Sequence, residues 1–367
     1  MLRAIWLQWF DTMAAMTSLD PSQDIVDLTA ALVDIESVSG NEQMITDAIE
    51  SALQPVPWLE LWRHQHSLVA RTTLGRDERV VIAGHVDTVP IHANLPSRND
   101  GEKLHGLGSC DMKGGVAVAL ALASSLAEPV RDVTYVFYEA EEVEAERNGL
   151  TLISAVRPEI LAADFAVLME PSNAMVEAGC QGTMRVDVST KGSRAHSARS
   201  WNGVNAIHAA GEVLSRLAAY EPRQPVIDGL RYHEGLNAVA VRGGVAGNVI
   251  PDACTVSINY RFAPDRGEAE AETHMRAVFA GLDVAVSDSA PGALPGLHRP
   301  AAAAFLEAVG GSAKPKFGWT DVSRFSSLGI PAVNFGPGNP ELAHTQAEFV
   351  PHAHLRSCLD QMTAWLS

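Results

Sequence analysis

Four short apolar runs in this chain each end in a cluster of polar residues able to bind metals or move protons. Residues 79–83 (RVVIA) lead into Gly84-His85-Val86-Asp87, and residues 133–138 (VTYVFY) lead into Glu139, Glu141 and Glu142. Residues 165–169 (FAVLM) lead into Glu170, and residues 330–335 (IPAVNF) into Gly336-Pro337-Gly338 and then His344. Continuous apolar runs of this length read as strands buried on both faces. Helical periodicity predicts helices over 24–38 and 42–53, and the stretch VAVALALASSLA predicts a buried helix over 114–127. Strands alternating with helices imply an α/β fold, a sheet flanked by helices on both faces.

The rhythm changes from about residue 183. A strand over 184–190 is followed by a helix (203–219), strands over 237–242 and 254–262, a helix (267–280) and a strand (282–287). That order, β-α-β-β-α-β, is the split ferredoxin-like unit. The expected organisation is therefore a catalytic domain in two parts, 17–182 and 291–367, with an inserted ferredoxin-like α+β domain over 183–290. Residues 1–16 read as an extension, disordered or a misplaced start before Met16. A signal peptide or amphipathic anchor is the rival reading, but Asp11 interrupts the apolar region and no clean small-residue cleavage site follows.

Charge and cysteine usage exclude several classes. With 27 Lys+Arg against 44 Asp+Glu, the formal charge is −17. Such a chain repels phosphate backbones and anionic bilayers, so neither nucleic acid nor membrane is expected as a partner. The longest apolar stretch, 116–123, falls short of the roughly 18 residues that span a bilayer. Cys110, Cys180, Cys254 and Cys358 are scattered without a C-x-x-C pair, which fits a reducing cytoplasm and no cysteine zinc site.

In open α/β sheets, ligands bind beyond the carboxyl ends of the strands. His85, Asp111, Glu142, Glu170 and His344 occupy five such turns and can converge. Two imidazoles and three carboxylates suit one or two borderline divalent ions, zinc or cobalt. Asp111, central in order and flanked by Gly108 and Gly114-Gly115, is the natural bridge between two ions. Asp87 would fix the His85 tautomer by accepting the other ring N–H. Of Glu141 and Glu142, one can coordinate while its neighbour serves as general base. The rest of the acidic run, Glu139, Glu144 and Glu146, reads as a solvated face. His196 alone reads as a surface residue, as do His64, His92, His352 and His354, and Cys110 as a small packed residue.

Together the stretches GHVDTVP, GSCDMKGG, EAEEVEAERNGL, MEPSN, GSRAHSARSWNGVNAIH, GNVIPDACTVSINYRFAP and FGPGNPELAH resemble the dinuclear-zinc aminoacylase and carboxypeptidase clan. The resemblance runs from about residue 24 to the C-terminus in family order. It implies a zinc-peptidase-like catalytic domain and a homodimer formed through the inserted (lid) domain. It implies two Zn2+ per subunit, with Co2+ as a substitute: His85 and Glu170 on one, Glu142 and His344 on the other, and Asp111 on both. It further implies Glu141 as general base and acid, Asp87 orienting His85, and His196 steadying the oxyanion in the partner's site. Asn248, Arg261 and Thr320 would hold substrate. Three positions depart from the family pattern: Cys180-Gln181 replaces a basic pair, Arg199 replaces a Tyr, and Asn339 lies one residue off its expected place.

Within the clan the closest likeness is to enzymes that remove succinate from an N-succinyl diamino acid, so a small-molecule N-succinyl amino acid is the expected substrate. Acetylornithine deacetylases and broader aminoacylases or dipeptidases share the same metal core. A non-catalytic binding protein on this fold would be expected to have lost at least one of the six core residues, and all six are present.

Overall fold

The computed structural model describes residues 19–367, so the reading of 1–16 lies outside the described residues. Two compact units are present. The first comprises the described residues up to Ala178, with Gly296–Lys314 and Arg324–Ser367; the second comprises Gly179–Pro295 and Pro315–Ser323.

In chain order the first unit begins with α1 (Ile25–Val33), α2 (Gln43–Leu53), β1 (Glu60–His64), β2 (Ser67–Arg71) and β3 (Arg79–His85). It continues through α3 (Lys113–Ser125), β4 (Asp132–Tyr138), α4 (Gly149–Val156), β5 (Phe165–Leu168) and β6 (Val176–Ala178). The second unit supplies β7 (Gly182–Lys191), α5 (Ala206–Ala218), β8 (Gly235–Gly243), β9 (Ala253–Phe262), α6 (Glu268–Val278) and β10 (Asp283–Ala290). The remaining elements are α7 (Pro300–Ala308), β11 (Ala313–Pro315), β12 (Ala332–Asn334) and α8 (His352–Leu366).

The large sheet runs β1-β2-β4-β3-β5-β12-β6-β11. Its centre, β4-β3-β5-β12, is parallel, while β1, β2 and β6 pair antiparallel. It is thus the mixed sheet with flanking helices that the sequence implies. Every side chain of β4 is buried, as a parallel strand covered on both faces requires. The register that puts His85 opposite Tyr138 brings the carboxyl ends of β3 and β4 level. Helix α3 is buried from Lys113 to Ala123, and it enters close to the sheet. A Cβ at Gly115 would lie 2.2 Å from the Met169 carbonyl oxygen, and one at Gly336 would meet the same atom at 2.2 Å. Only glycine permits these two approaches to the end of β5.

Helix α1 is shorter than expected, ending at Val33. The next residues are drawn into extended pairing: Ser37 Oγ donates to the Val86 carbonyl at 2.6 Å and Val38 bridges Thr88. These side-chain and bridge contacts compete with continued helix. Helix α5 starts at Ala206, not 203, because Asn205 caps it, accepting from the N–H groups of Ile207 and His208.

In the second unit four antiparallel strands run β8-β9-β7-β10. Alternation along β7 and β9 sends Val186, Val188, Val256 and Ile258 into a core with Ala210 and Val213 of α5 and Met275 of α6. Thr183, Arg185 and Asp187 alternate with these residues along β7. Among the described residues, no helix is long and apolar enough to cross a membrane.

Candidate metal centre

All the acidic and imidazole groups singled out as ligands lie in the first unit, at or beyond strand carboxyl ends. His85 ends β3, Glu141 and Glu142 follow β4, Glu170 follows β5, and His344 follows β12. Asp111 precedes α3. Ligand-capable atoms of His85, Asp111 and Glu170 lie within 4.8 Å of one another; so do those of His85, Glu141 and Glu142, and of Asp111, Glu142 and His344.

The carboxylate of Asp111 faces two ways. Its Oδ1 lies 3.2 Å from His85 Nε2, and its Oδ2 lies 3.3 Å from His344 Nε2. His344 Nε2 also meets Glu142 Oε1 at 2.8 Å. On the far side of the first imidazole, His85 Nδ1 lies 3.1 Å from the Asp87 carbonyl and 3.4 Å from Asp87 Oδ1. With Nδ1–H donating there, Nε2 is left to face the cluster.

Asp87 is fully buried. Its Oδ1 accepts from the Glu141 N–H at 3.0 Å; its Oδ2 accepts from the Glu142 N–H at 3.1 Å and from Ser39 Oγ at 2.7 Å. The residue just before, Ala140, has φ +57°, and His344 has φ +61°. Non-glycine residues seldom adopt this left-handed region, and such strain clusters at functional sites. The two N–H groups directly after Ala140, those of Glu141 and Glu142, both donate to the one Asp87 carboxylate and so hold that turn.

The electrostatics report concentrated negative charge. Hydrogen bonds that the His344 ring gives to the Asp111 and Glu142 carboxylates push its pKa up to about 10. Burial disfavours a charged His85, yet Asp111 and Asp87 outweigh it and raise its pKa well above the ordinary imidazole value. Burial likewise opposes ionised Asp111, but His344 and His85 hold its carboxyl below the usual range. Three carboxylates around two imidazoles favour positive charge at their centre, which is the donor set that divalent cations require.

The acidic run after β4 divides by burial. Glu139 is buried, its Oε1 accepting from His66 N–H at 3.0 Å and Ser67 Oγ at 3.1 Å. That is a structural role in place of the solvated one expected. Glu144 and Glu146 are exposed. Cys110 is a packed, buried residue. His352, read from the sequence as a surface residue, is buried at the start of α8.

His196, Asn248, Arg261 and Thr320 lie in the second unit. His196 and Val249 pair across a short ladder, and the Ser197 N–H donates to the Asn248 carbonyl at 2.9 Å, so His196 and Asn248 are neighbours. His196 is exposed, and its Nδ1 accepts the Ala198 N–H at 3.1 Å. The ring proton then sits on Nε2, making it a donor. Arg261 is half-buried on β9 and Thr320 is buried. The segment Pro315–Ser323, which carries Thr320, groups with the second unit. Trp319 Nε1 and Ser323 Oγ both donate to the Pro291 carbonyl, at 3.1 and 2.7 Å.

Sequence reasoning missed Ser39 and Glu348. Ser39 gives no signal, being one serine among many. Glu348 has a weak one, a lone acid between His344 and the apolar Phe349-Val350.

A family model described as peptidase family M20/M25/M40 matches residues 81–367. A protein of Mycobacterium tuberculosis named DapE is 54% identical over 95% of this chain and 99% of its own length. The succinyl-diaminopimelate desuccinylase of Corynebacterium glutamicum is 48% identical, covering 91% of this chain and 93% of its own. An acetylornithine deacetylase of Myxococcus xanthus is 27% identical over 93% of this chain and 91% of its own. Among solved structures, a tripeptidase of Staphylococcus aureus superposes with a TM-score of 0.77 at 21% identity, covering 94% of this chain and 97% of its own. A dinuclear metal binding peptidase of Bacillus subtilis gives 0.67 at 20% identity, covering 93% and 96%.

Proposed function

The chain belongs to peptidase family M20/M25/M40, and from that premise we propose that it hydrolyses N-succinyl-LL-2,6-diaminopimelate to succinate and LL-2,6-diaminopimelate. The observation that carries amide hydrolysis is the two-way Asp111 carboxylate, with one oxygen toward each histidine. The substrate rests on the relatives at 48% and 54% identity, which cover nearly the whole chain. The 27% identity to an acetylornithine deacetylase supports that rival more weakly.

In this reading His85 and Glu170 would hold one zinc ion, Glu142 and His344 the other, and Asp111 would serve both. The bound ions would polarise the succinyl carbonyl and make the attacking water more acidic. Glu141 takes a proton from that water as oxygen adds to the carbonyl carbon. It then delivers the proton to the leaving nitrogen as the C–N bond breaks. His196, with Nε2–H as donor, stabilises the oxyanion of the partner's site. Asn248, Arg261 and Thr320 hold the substrate.

Homodimerisation is part of the proposal. Strand β8 is an edge of its sheet and carries exposed Val239 and Val241, while Ile207 and Leu214 of α5 are exposed as well. An apolar patch beside an unpaired strand edge invites pairing with a second copy. A cytoplasmic place fits the four unpaired cysteines.

One assay tests the substrate. Purified protein with zinc or cobalt is offered N-succinyl-LL-2,6-diaminopimelate, N-acetylornithine and a simple dipeptide, and kcat/KM is compared. Preference for either of the latter two overturns the desuccinylase reading.

A further inference from the structure

Glu348 is buried, at 2% exposed. Its Oε1 accepts the main-chain N–H groups of Cys110 at 2.9 Å and Asp111 at 3.1 Å, and its Oε2 accepts that of Gly108 at 3.0 Å. Its own carbonyl accepts the Gly106 N–H at 3.2 Å. The next residues, Phe349–Pro351, pair with Lys103–His105. The N–H groups of Gly108, Cys110 and Asp111 have this side chain as their partner, and buried ones left unpaired are costly. One carboxylate accepts all three.

The stretch that carries Glu348 also carries His344. Glu348 therefore ties the turn bearing Asp111 to the segment bearing His344, whose Nε2 lies 3.3 Å from Asp111 Oδ2. We infer that Glu348 is a positioning residue, which sets the placement of the shared Asp111 carboxylate against His344 and thereby the affinity for the paired cations. It touches neither substrate nor metal and acts through Asp111. The inference rests on the reading of the cluster as a metal centre.

The test titrates chelator-treated protein with Co2+, followed by calorimetry and by the visible absorption of bound cobalt. Glu348→Gln puts an NH2 donor against N–H donors, so at least one accepted bond is lost. The expected result is about 10–100-fold weaker binding of at least one of the two cobalt ions, with an altered visible spectrum. Val350→Ala is the control. Val350 is buried on the short strand Phe349–Pro351 that follows Glu348 and pairs with Leu104, so its truncation loosens the strand without removing a bond to the Asp111 turn. It should lower the unfolding midpoint and leave cobalt affinity and spectrum unchanged. Wild-type affinity in Glu348→Gln overturns the inference, as does an equal weakening in Val350→Ala. If Glu348→Gln does not fold, Glu348→Ala, where water can enter the vacated space, takes the same titration. Failure of both to fold in the presence of cobalt assigns Glu348 a purely structural role and also overturns the inference. If the wild-type protein itself binds no cobalt, it is the metal reading that fails.

Discussion

Asp87 Oδ1 accepts the main-chain N–H of Glu141 at 3.0 Å while lying 3.4 Å from His85 Nδ1. A single buried carboxylate thus orients a proposed metal ligand and anchors the proposed general base.

That dual role predicts a two-part defect in Asp87→Asn. Cation affinity should fall by about 10–100-fold, as for other groups that orient a ligating histidine. The turnover number should also stay low at saturating zinc, because the turn through Ala140 is loosened. Metal titration and kcat at high zinc separate the two parts. Full recovery of kcat at saturating zinc would show that Asp87 serves His85 alone.

Glu141→Gln should leave the cluster of His85, Asp111, Glu142, Glu170 and His344 intact. Two metals per chain should remain bound by elemental analysis, while kcat falls on the order of 10²–10⁴-fold. Near-normal turnover would remove Glu141 from the mechanism.

His196→Ala should lower kcat and kcat/KM together, by about 10²–10³-fold, with metal content unchanged. If the donor acts across a two-fold interface, mixing His196→Ala with Glu141→Gln subunits places both defects in one site and neither in the other. Activity should then exceed that of either variant alone. Demonstrated subunit exchange without recovery assigns His196 to its own chain.

Asp132 predicts a pH-dependent stability effect away from the site. It accepts from Thr72 Oγ1 and from the Leu74, Gly75 and Arg76 N–H groups, at 2.8 to 3.0 Å. Burial opposes its charge, but these donors and Arg79 prevail and lower its pKa below 3.8. A carboxyl depressed on folding stabilises above its unfolded value and loses that contribution as pH falls. Asp132→Asn should therefore destabilise by about 1–3 kcal/mol at neutral pH. The gap in urea midpoint between wild type and variant should be level from pH 7 to 5 and begin to close near pH 4. A gap that widens in acid would contradict the assignment.

The site was legible in sequence because buried parallel strands are uniformly apolar, so a polar residue at their end stands out. His85, Glu142 and Glu170 each sit one to four residues beyond such a run. The second unit was legible for a different reason, since its central strands β7 and β9 alternate between buried and less buried positions. The hairpin of β1 and β2 was not. Its turn places Gln65 at φ +51°, with no Gly or Asn to mark it. Glu348 left only the faint trace of a lone acid: its partners are main-chain groups 237 to 240 residues away, and main-chain donors leave no trace in side-chain pattern. The end of α1 was missed because bridging to Thr88, a tertiary contact, overrides helical periodicity.

Strand β12 lies between β5 and β6 in the large sheet, although the whole second unit separates it from them in the chain. During synthesis the ribosome therefore delivers β5 long before its neighbour. At about 5–20 residues per second the wait is roughly ten to thirty seconds. Through that interval the apolar edge of β5 has no strand beside it, an arrangement prone to pairing with other chains. The four strands of the second unit all lie between Gly182 and Ala290 and can pair with one another meanwhile. The nascent protein is thus half-built around an open seam, and the stretch that closes the seam is followed directly by the one that brings His344.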